Sequence, residues 1–408
     1  MPATPAHAPR PRAAVLALPA YIAGRRAEHE LTAALASNES HHPPLPAVLE
    51  VLAHSSATVN RYPDTAALAL RERLAELFGV GVDETVVGAG STGVLQQIIA
   101  SLCDPGDEVV FAWRSFEAYP ILARLAGAVP VAVPLRADEA HDLEAMAAAV
   151  TARTRVVLLC TPNNPTGVPL DAAELDTFLA RVPSDVLVVI DEAYIEYSSS
   201  DAVDSVALFR RHPNVCILRT FSKAYGLAGL RVGYAIAQAA VADGLRRTGL
   251  PFAVSALAQR AALASLEPAA AAEMRVRVAE VVAERARLTA ALRGQGWVVP
   301  DSSANFVWLR MPDAEREALV ELLAAHHILV RGYPGDGVRI SVADAAATDR
   351  VVAVLAQVAP PASLGLAGSA AAESAGSVAA GSTGSAGSLA SAGSVAAGSA
   401  GSASGVFA

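Results

Sequence analysis

The sequence predicts an α/β fold: a mostly parallel central sheet with helices on both faces, followed by a smaller α+β domain. Three observations predict it. Apolar strand-like runs alternate with helically spaced runs from Thr85 to about Leu266. One of those runs stops at a carboxylate, Asp191, where strands of an open α/β sheet present their ligands. A long amphipathic stretch, Ala270 to Leu292, then leads into a shorter set of strands around one helix.

The bulk numbers agree with a globular chain. Its 408 residues suffice for two domains and a large core, with 53% hydrophobic and 17% charged residues. A formal net charge of -9 and a pI near 5.5 argue against non-specific nucleic-acid binding. Cys103, Cys160 and Cys216 are odd in number and far apart, which fits a reducing cytoplasm rather than a disulfide framework. Pro2 to Arg12 has no signal-peptide core, and no charge-free apolar run reaches the ~20 residues of a membrane helix. The histidines lack metal-ligand spacing, so no metal site is expected.

In chain order, residues 1–12 read as a loose tail, and Pro43, Pro44 and Pro46 as an extended arm entering a helix near Leu45. Asn60 to Asp64 is a turn with an aromatic tip, Tyr62. Ala66 to Phe78 has helical spacing. Thr85 to Gly93 reads strand, glycine turn, helix, with Ser91 as N-cap; the amides of such a helix start bind anions. Strands are expected at Glu108–Phe111, Val129–Val133, Arg155–Cys160 and Asp185–Asp191, with a helix at Leu143–Val150. The stretch after Phe111, AWRSFEAYP, carries Phe116, whose plain alternative is core packing. Asn164, between Pro162 and Pro165, can offer its amide to a phenolate oxygen or simply make an Asn-Pro turn. Asp191 can keep a pyridine nitrogen protonated, or cap a helix; Tyr194 follows three residues on.

A strand at Val215–Leu218 feeds Thr220-Phe221-Ser222-Lys223, with Arg231 eight residues past the lysine. A lysine at a buried strand end is costly as a free cation, but suits an imine with an aldehyde. Thr220, Ser222 and Arg231 supply two hydroxyls and one guanidinium, the partners of a phosphate monoester. The two together point to pyridoxal 5'-phosphate; a surface loop with a solvated lysine is the bland alternative. Further strands are expected at Tyr234–Ala237, Gly296–Val299, Asn305–Leu309 and Val338–Val342, with a helix at Ala314–His326, in a βαβ-like pattern. Arg331 and Arg339 flank a Pro-Gly turn; either can grip a carboxylate or form a surface salt bridge. Residues 361–408 hold one charged residue, Glu373. Ser and Gly make up 18 of the 35 residues from Ser374 onward, so this reads as a disordered tail.

Four signals in one order, GAGSTG, CTPNNPTG, VVIDEAY and TFSKAYGLAGLRVGY, resemble the fold-type-I, pyridoxal-phosphate-dependent aminotransferases. The likeness runs from about Tyr21 to Val358 and is to the histidinol-phosphate aminotransferase-like subfamily. AWRSFEAYP, NRYPD and GDGVRISV are similar to its actinobacterial aromatic amino acid aminotransferase branch. The resemblance implies a seven-stranded-type sheet, an N-terminal arm (1–45), a large cofactor domain (46–265) and a small domain (266–360). It implies that Lys223 holds the cofactor and that Asp191 pairs with its ring nitrogen. Asn164 and Tyr194 would meet the ring oxygen, and Phe116 the ring face. Ser91, Thr92, Thr220, Ser222 and Arg231 would take the phosphate, joined by Tyr62 from the other subunit of a homodimer. Arg339 would grip the substrate carboxylate, and Tyr21 and Asn38 belong to the arm over the site. The arm reads NESHHPPLP where many relatives have an Asn-Glu-Asn-Pro-like turn. The implied reaction is ping-pong transamination between an aromatic amino acid and 2-oxoglutarate, with histidinol phosphate as the rival donor. Arg331 and Tyr21 could serve a second anion. A cofactor-binding regulator would need a DNA-binding module that the ends of the chain do not supply.

Overall fold

Successive side chains of a strand point to opposite faces, and here both faces are apolar. Val156, Leu158, Val189 and Leu218 pack into one buried cluster, while Val157, Leu159, Val188, Ile190 and Ile217 pack into another. Strands buried on both sides belong to a parallel sheet covered by helices. The computed structural model describes residues 9–18, 32–199 and 202–361, all in one compact unit. Tyr21 and the tail beyond Pro361 lie outside the described residues.

The strands are β1 Ala33–Ala34, β2 Thr85–Gly88, β3 Glu108–Trp113, β4 Val129–Pro134, β5 Thr154–Cys160, β6 Leu187–Asp191, β7 Val215–Thr220, β8 Gly233–Ile236, β9 Phe306–Arg310, β10 Ile328–Leu329, β11 Arg331–Tyr333 and β12 Gly337–Ser341. Seven of them form the central sheet, in the order β2-β8-β7-β6-β5-β3-β4. It is mostly parallel, as the sequence predicts; only β8, between β2 and β7, runs antiparallel to its neighbours. Helices Gly90–Leu102, Ala118–Leu125 and Ala239–Arg247 pack on one face, and Ala172–Arg181 and Ser205–Arg211 on the other. Cys160 sits opposite Asp191, and Asp191 opposite Leu218. The carboxyl ends of β5, β6 and β7 therefore come level, and the loops that follow them share one edge of the sheet.

After the 27-residue helix Pro268–Gly294 comes a second sheet, β11-β12-β9. Both of its pairings are antiparallel, so β9 and β11 run parallel to each other with helix Asp313–Ala325 between them in sequence and β12 inserted between them in the sheet. After that helix the chain reverses at the Pro334-Gly335 turn, from β11 into β12. Gly296 to Val299 is not a strand. Its burial alternates (Trp297 and Val299 are buried, Val298 is exposed), but no strand pairs with it, and the Val299 carbonyl accepts from the Arg293 guanidinium instead. The helix after β2 begins at Gly90, with Ala89 in the capping position and no side-chain cap. Ser91 is thus its second residue, not its N-cap. Strands β1, β10 and β11 and the closing helix Ala345–Leu355 are among the elements that were not expected.

Leu218, fully buried at the centre of the sheet, sets a stability expectation. Leu218→Ala should lower unfolding free energy by about 2–5 kcal/mol, because the cavity it leaves cannot fully collapse. Val298→Ala, at 75% exposure, should change it by less than about 0.5 kcal/mol. Urea unfolding curves of the two variants would check the contrast.

Candidate active site

Lys223 is the only lysine in the chain; every other member of the 31 Lys plus Arg residues is an arginine. It lies three residues past the end of β7. Its Nζ donates to the Ser37 carbonyl at 3.0 Å and sits 5.8 Å from the centre of the Tyr194 ring. The side chain is half-buried. Desolvation, helped by the neighbouring Arg339 cation, pushes its pKa down to about 7, with Glu39 pulling weakly the other way.

Asp191 ends β6 and is 4% exposed. One oxygen, Oδ2, accepts from the Tyr119 hydroxyl at 2.8 Å. The other, Oδ1, is buried without a hydrogen-bond partner among the described residues. Burial pushes the carboxyl up to about 6, and the Tyr119 hydrogen bond opposes that rise. A buried carboxylate with one idle oxygen is costly, and a cationic N–H aimed at Oδ1 would remove the cost. The short helix that follows, Ile195–Tyr197, has Tyr194 and not Asp191 at its capping position.

An anion cradle forms next to these groups. The first turn of helix Gly90–Leu102 leaves amide groups unpaired, with Ser91 and Thr92 at its second and third positions. A Cβ on Gly90 would come within 2.5 Å of the Arg231 guanidinium, and one on Gly233 within 2.3 Å of the Ser91 nitrogen. Glycine at both positions lets the arginine and the helix start converge. The Ser222 amide donates to Thr220 Oγ1 at 3.1 Å, the two hydroxyls lie 3.0 Å apart, and Arg231 reaches Ser222 Oγ at 3.3 Å.

Arg339 on β12 faces this cradle from the second sheet. It is 5% exposed and donates to Asn164 Oδ1 and to the Ala36 carbonyl; its Nε is without a partner. Asn38, fully buried, holds a left-handed backbone (φ 53°) and donates to the Tyr194 hydroxyl at 3.1 Å. Ser341 and Asn305 fix Asn38 through three more hydrogen bonds. Three consecutive arm residues thus touch Arg339, Lys223 and Tyr194 in turn. Phe116 is half-buried, edge-on to Tyr119 with ring centres 5.6 Å apart. Arg331 pairs with Glu117 at 2.7 Å.

The structure therefore brings Lys223, Asp191, Tyr194, Asn164, Thr220, Ser222, Arg231, Ser91, Thr92, Phe116 and Arg339 to one edge of the sheet. Among the described residues Tyr62 is not tied to them: it is 83% exposed and stacks on Phe252 with ring centres 4.5 Å apart. Tyr119, the Ala36 and Ser37 carbonyls and Ser341 were missed by sequence reasoning. A lysine count would have singled out Lys223 at once. Tyr119 stands three residues after Phe116, at the spacing that brings helical neighbours together. Nothing local marks the two carbonyls. Among the described residues no cluster of three metal-ligating side chains occurs, and no helix is long and apolar enough to cross a membrane.

Comparison with known proteins gives consistent matches. The family model "Aminotransferase class I and II" matches residues 32–358. The chain is 51% identical over 344 residues to the aromatic amino acid aminotransferase of Streptomyces coelicolor, covering 84% of this chain and 95% of that protein. It is 50% identical over 345 residues to the protein of the same name from Rhodococcus jostii, covering 85% and 95%. Among solved structures it is similar to the histidinol-phosphate aminotransferase of Sinorhizobium meliloti in complex with pyridoxal-5'-phosphate. That match has a TM-score of 0.74 and 29% identity, and covers 79% of this chain and 89% of that one.

In ligand-free protein the Lys223 amine is expected to titrate near pH 7, against ~10.4 for a free lysine. Burial and Arg339 both penalise the cation, so the shift is downward and the amine is mostly neutral at pH 8. Reductive methylation with carbon-13 formaldehyde labels a single lysine, whose NMR shift should change around pH 7. In Arg339→Gln the midpoint should rise. A midpoint near 10 would mean that the amine is solvated.

Proposed function

The chain belongs to the class I and II aminotransferases, and from that premise we propose that it moves the amino group of an aromatic L-amino acid to 2-oxoglutarate, giving an aromatic 2-oxo acid and L-glutamate. The observation that carries the reading is the sole lysine of the chain, held desolvated between a carboxylate-ended strand and a buried guanidinium. The aromatic preference is supported by the relatives that bear that name at about half identity.

We infer pyridoxal 5'-phosphate as the cofactor, because the residues present fit it. When bound, it supplies an aldehyde that condenses with amines and a ring that takes up electrons. Lys223 would hold the aldehyde carbon, and Asp191 Oδ1, otherwise idle, the ring nitrogen. Asn164 and Tyr194 would hold the ring oxygen, and Phe116 would cover the ring. Ser91, Thr92, Thr220, Ser222 and Arg231 would take the phosphate.

The side chains of the protein then divide the work. Arg339 grips the substrate α-carboxylate with a planar fork suited to it. The Lys223 amine, whose burial lowers its pKa to about 7, accepts the α-proton and returns it, since a base works best with a pKa near the working pH. Asp191 stays ionised beside a cationic N–H, although burial alone raises its pKa. The strap Ala36 to Asn38 limits water around the amine. Two half-reactions in ping-pong order follow from one site serving both substrates.

The assembly belongs to the same proposal. Exposed Tyr62, stacked on Phe252 beside exposed Leu250, is apolar surface that a second copy would cover in a two-fold homodimer. Tyr62 would then complete the phosphate cradle of that copy. The division into arm, large domain and small domain at 1–45, 46–265 and 266–360 is kept as part of this reading. The three cysteines are free and buried, which supports a cytoplasmic site of action.

Lys223→Ala should lower glutamate formation from phenylalanine and 2-oxoglutarate by at least ~10³-fold and remove the imine absorbance. Turnover retained in that variant would refute the assignment. Initial rates of the unaltered protein should give parallel double-reciprocal lines; intersecting lines would exclude ping-pong order.

A further inference from the structure

Arg331 and Arg339 are direct partners across the antiparallel strands β11 and β12. Directly opposed residues of such a pair project from the same face of the sheet. Both guanidinium carbons lie 5.6 Å from the centre of the Tyr333 ring. That face therefore carries two cations side by side. Arg339 reaches inward to Asn164 and Ala36. Arg331 donates to Glu117 Oε2 at 2.7 Å, the arginine side chain 11% exposed and the glutamate 28%.

Glu117 is well placed to matter. It lies between Phe116 and Tyr119, the residue bonded to Asp191. It also occupies the N-cap position of helix Ala118–Leu125, where an anion is ordinarily drawn to the helix amides. No side-chain cap hydrogen bond forms there; the carboxylate is committed to Arg331 instead.

The charge of the substrate decides what this arrangement accepts. An α-carboxylate brings one negative charge, which Arg339 balances. A phosphate monoester in its place brings about −1.5 to −2 at neutral pH. The extra charge needs a second cation. Arg114, also near the Tyr333 ring at 5.7 Å, is paired with Asp336 at 2.6 Å, and Arg331 is the cross-strand neighbour that could supply it. With Arg331 held, Glu117 removes that cation and adds a nearby like charge.

We propose that Glu117 is a specificity-determining residue: by pairing with Arg331 it tunes the site to amino acids bearing a single α-carboxylate and rejects amines bearing a phosphate monoester. This rests on the transaminase reading above and deepens it, since it selects the aromatic amino acid over histidinol phosphate through a named interaction. The prediction concerns the donor half-reaction alone. In ping-pong order, kcat/KM for a donor does not depend on the acceptor, so the second carboxylate of 2-oxoglutarate does not enter.

The test measures kcat/KM for phenylalanine and for histidinol phosphate, each with 2-oxoglutarate, in the holoenzyme and two variants. Glu117→Gln should raise the ratio of histidinol phosphate to phenylalanine by roughly tenfold, the scale of one charge contact at a partly screened site. Glu117→Asp keeps the charge and should hold the ratio within about threefold. If the two donors change together in Glu117→Gln, or if Glu117→Asp shifts the ratio as far, the role is packing and the proposal falls. If the unaltered holoenzyme fails on phenylalanine, the underlying reading falls instead, a result distinct from an unchanged ratio.

Discussion

Taking an ammonium group out of water costs several kcal/mol unless it finds counter-charge or gives up its proton. At Lys223 the second route is built in. The largest charge effect on it comes from a like group, Arg339, and the direct hydrogen-bond acceptor is a neutral carbonyl, that of Ser37. Neither stabilises the cation as a carboxylate in contact would. Elsewhere the chain uses arginine wherever it needs positive charge. A guanidinium does not lose its proton in a protein, so it pairs and binds but does not exchange protons. The one position that departs from arginine is the one where a neutral amine is wanted.

That requirement links the arm to the sheets. Residues 36 to 38 reach Arg339, Lys223 and Tyr194 in succession, and β1 joins the arm to β10 just before them. The left-handed backbone of Asn38 is strained for a residue with a side chain, costing of order 1 kcal/mol. Its four hydrogen bonds to Tyr194, Ser341 and Asn305 offset that strain. Displacing the arm would break the polar contacts of three site residues together, so arm position and amine environment change as one unit. The large sheet supplies the lysine and carboxylate, and the small sheet supplies the guanidinium. The arm touches both, alongside the direct Arg339–Asn164 contact between them.

Legibility in the sequence followed the range of the interaction. Lys223, Asp191 and the glycine turn could be read because a strand end and its loop are local, and the chemistry of a lone lysine or aspartate there is restrictive. The parallel order of the large sheet followed from its alternating elements. Ser91 was misread as a cap because a hydroxyl after glycines fits that role; the helix instead starts one residue earlier, at Gly90, whose positive φ and missing side chain admit Arg231. Gly296 to Val299 has the burial alternation of a strand but no partner, and pairing is a tertiary fact. The same limit hid Tyr119 behind Asp191 and the acceptor carbonyls of the arm. Tyr62 could be matched only through resemblance, since among the described residues its ring stacks on Phe252.

The site can also be read as a set of matched charges. In the proposed reading Arg231 and the start of a helix would face a phosphate, Asp191 Oδ1 a ring cation, and Arg339 a carboxylate. Each has a buried or unpaired polar atom that one incoming group would satisfy. A fourth charge, Arg331, would break this balance if left free beside Arg339, because it would favour a phosphate over a carboxylate at the position Arg339 serves. Glu117 cancels it from the turn that also carries Phe116 and Tyr119. The elements that shape the ring pocket and those that set net charge at the carboxylate end are therefore the same short stretch of chain. A change in AWRSFEAYP would alter both at once, and substrate choice can then shift without any change at Lys223, Asp191 or Arg339.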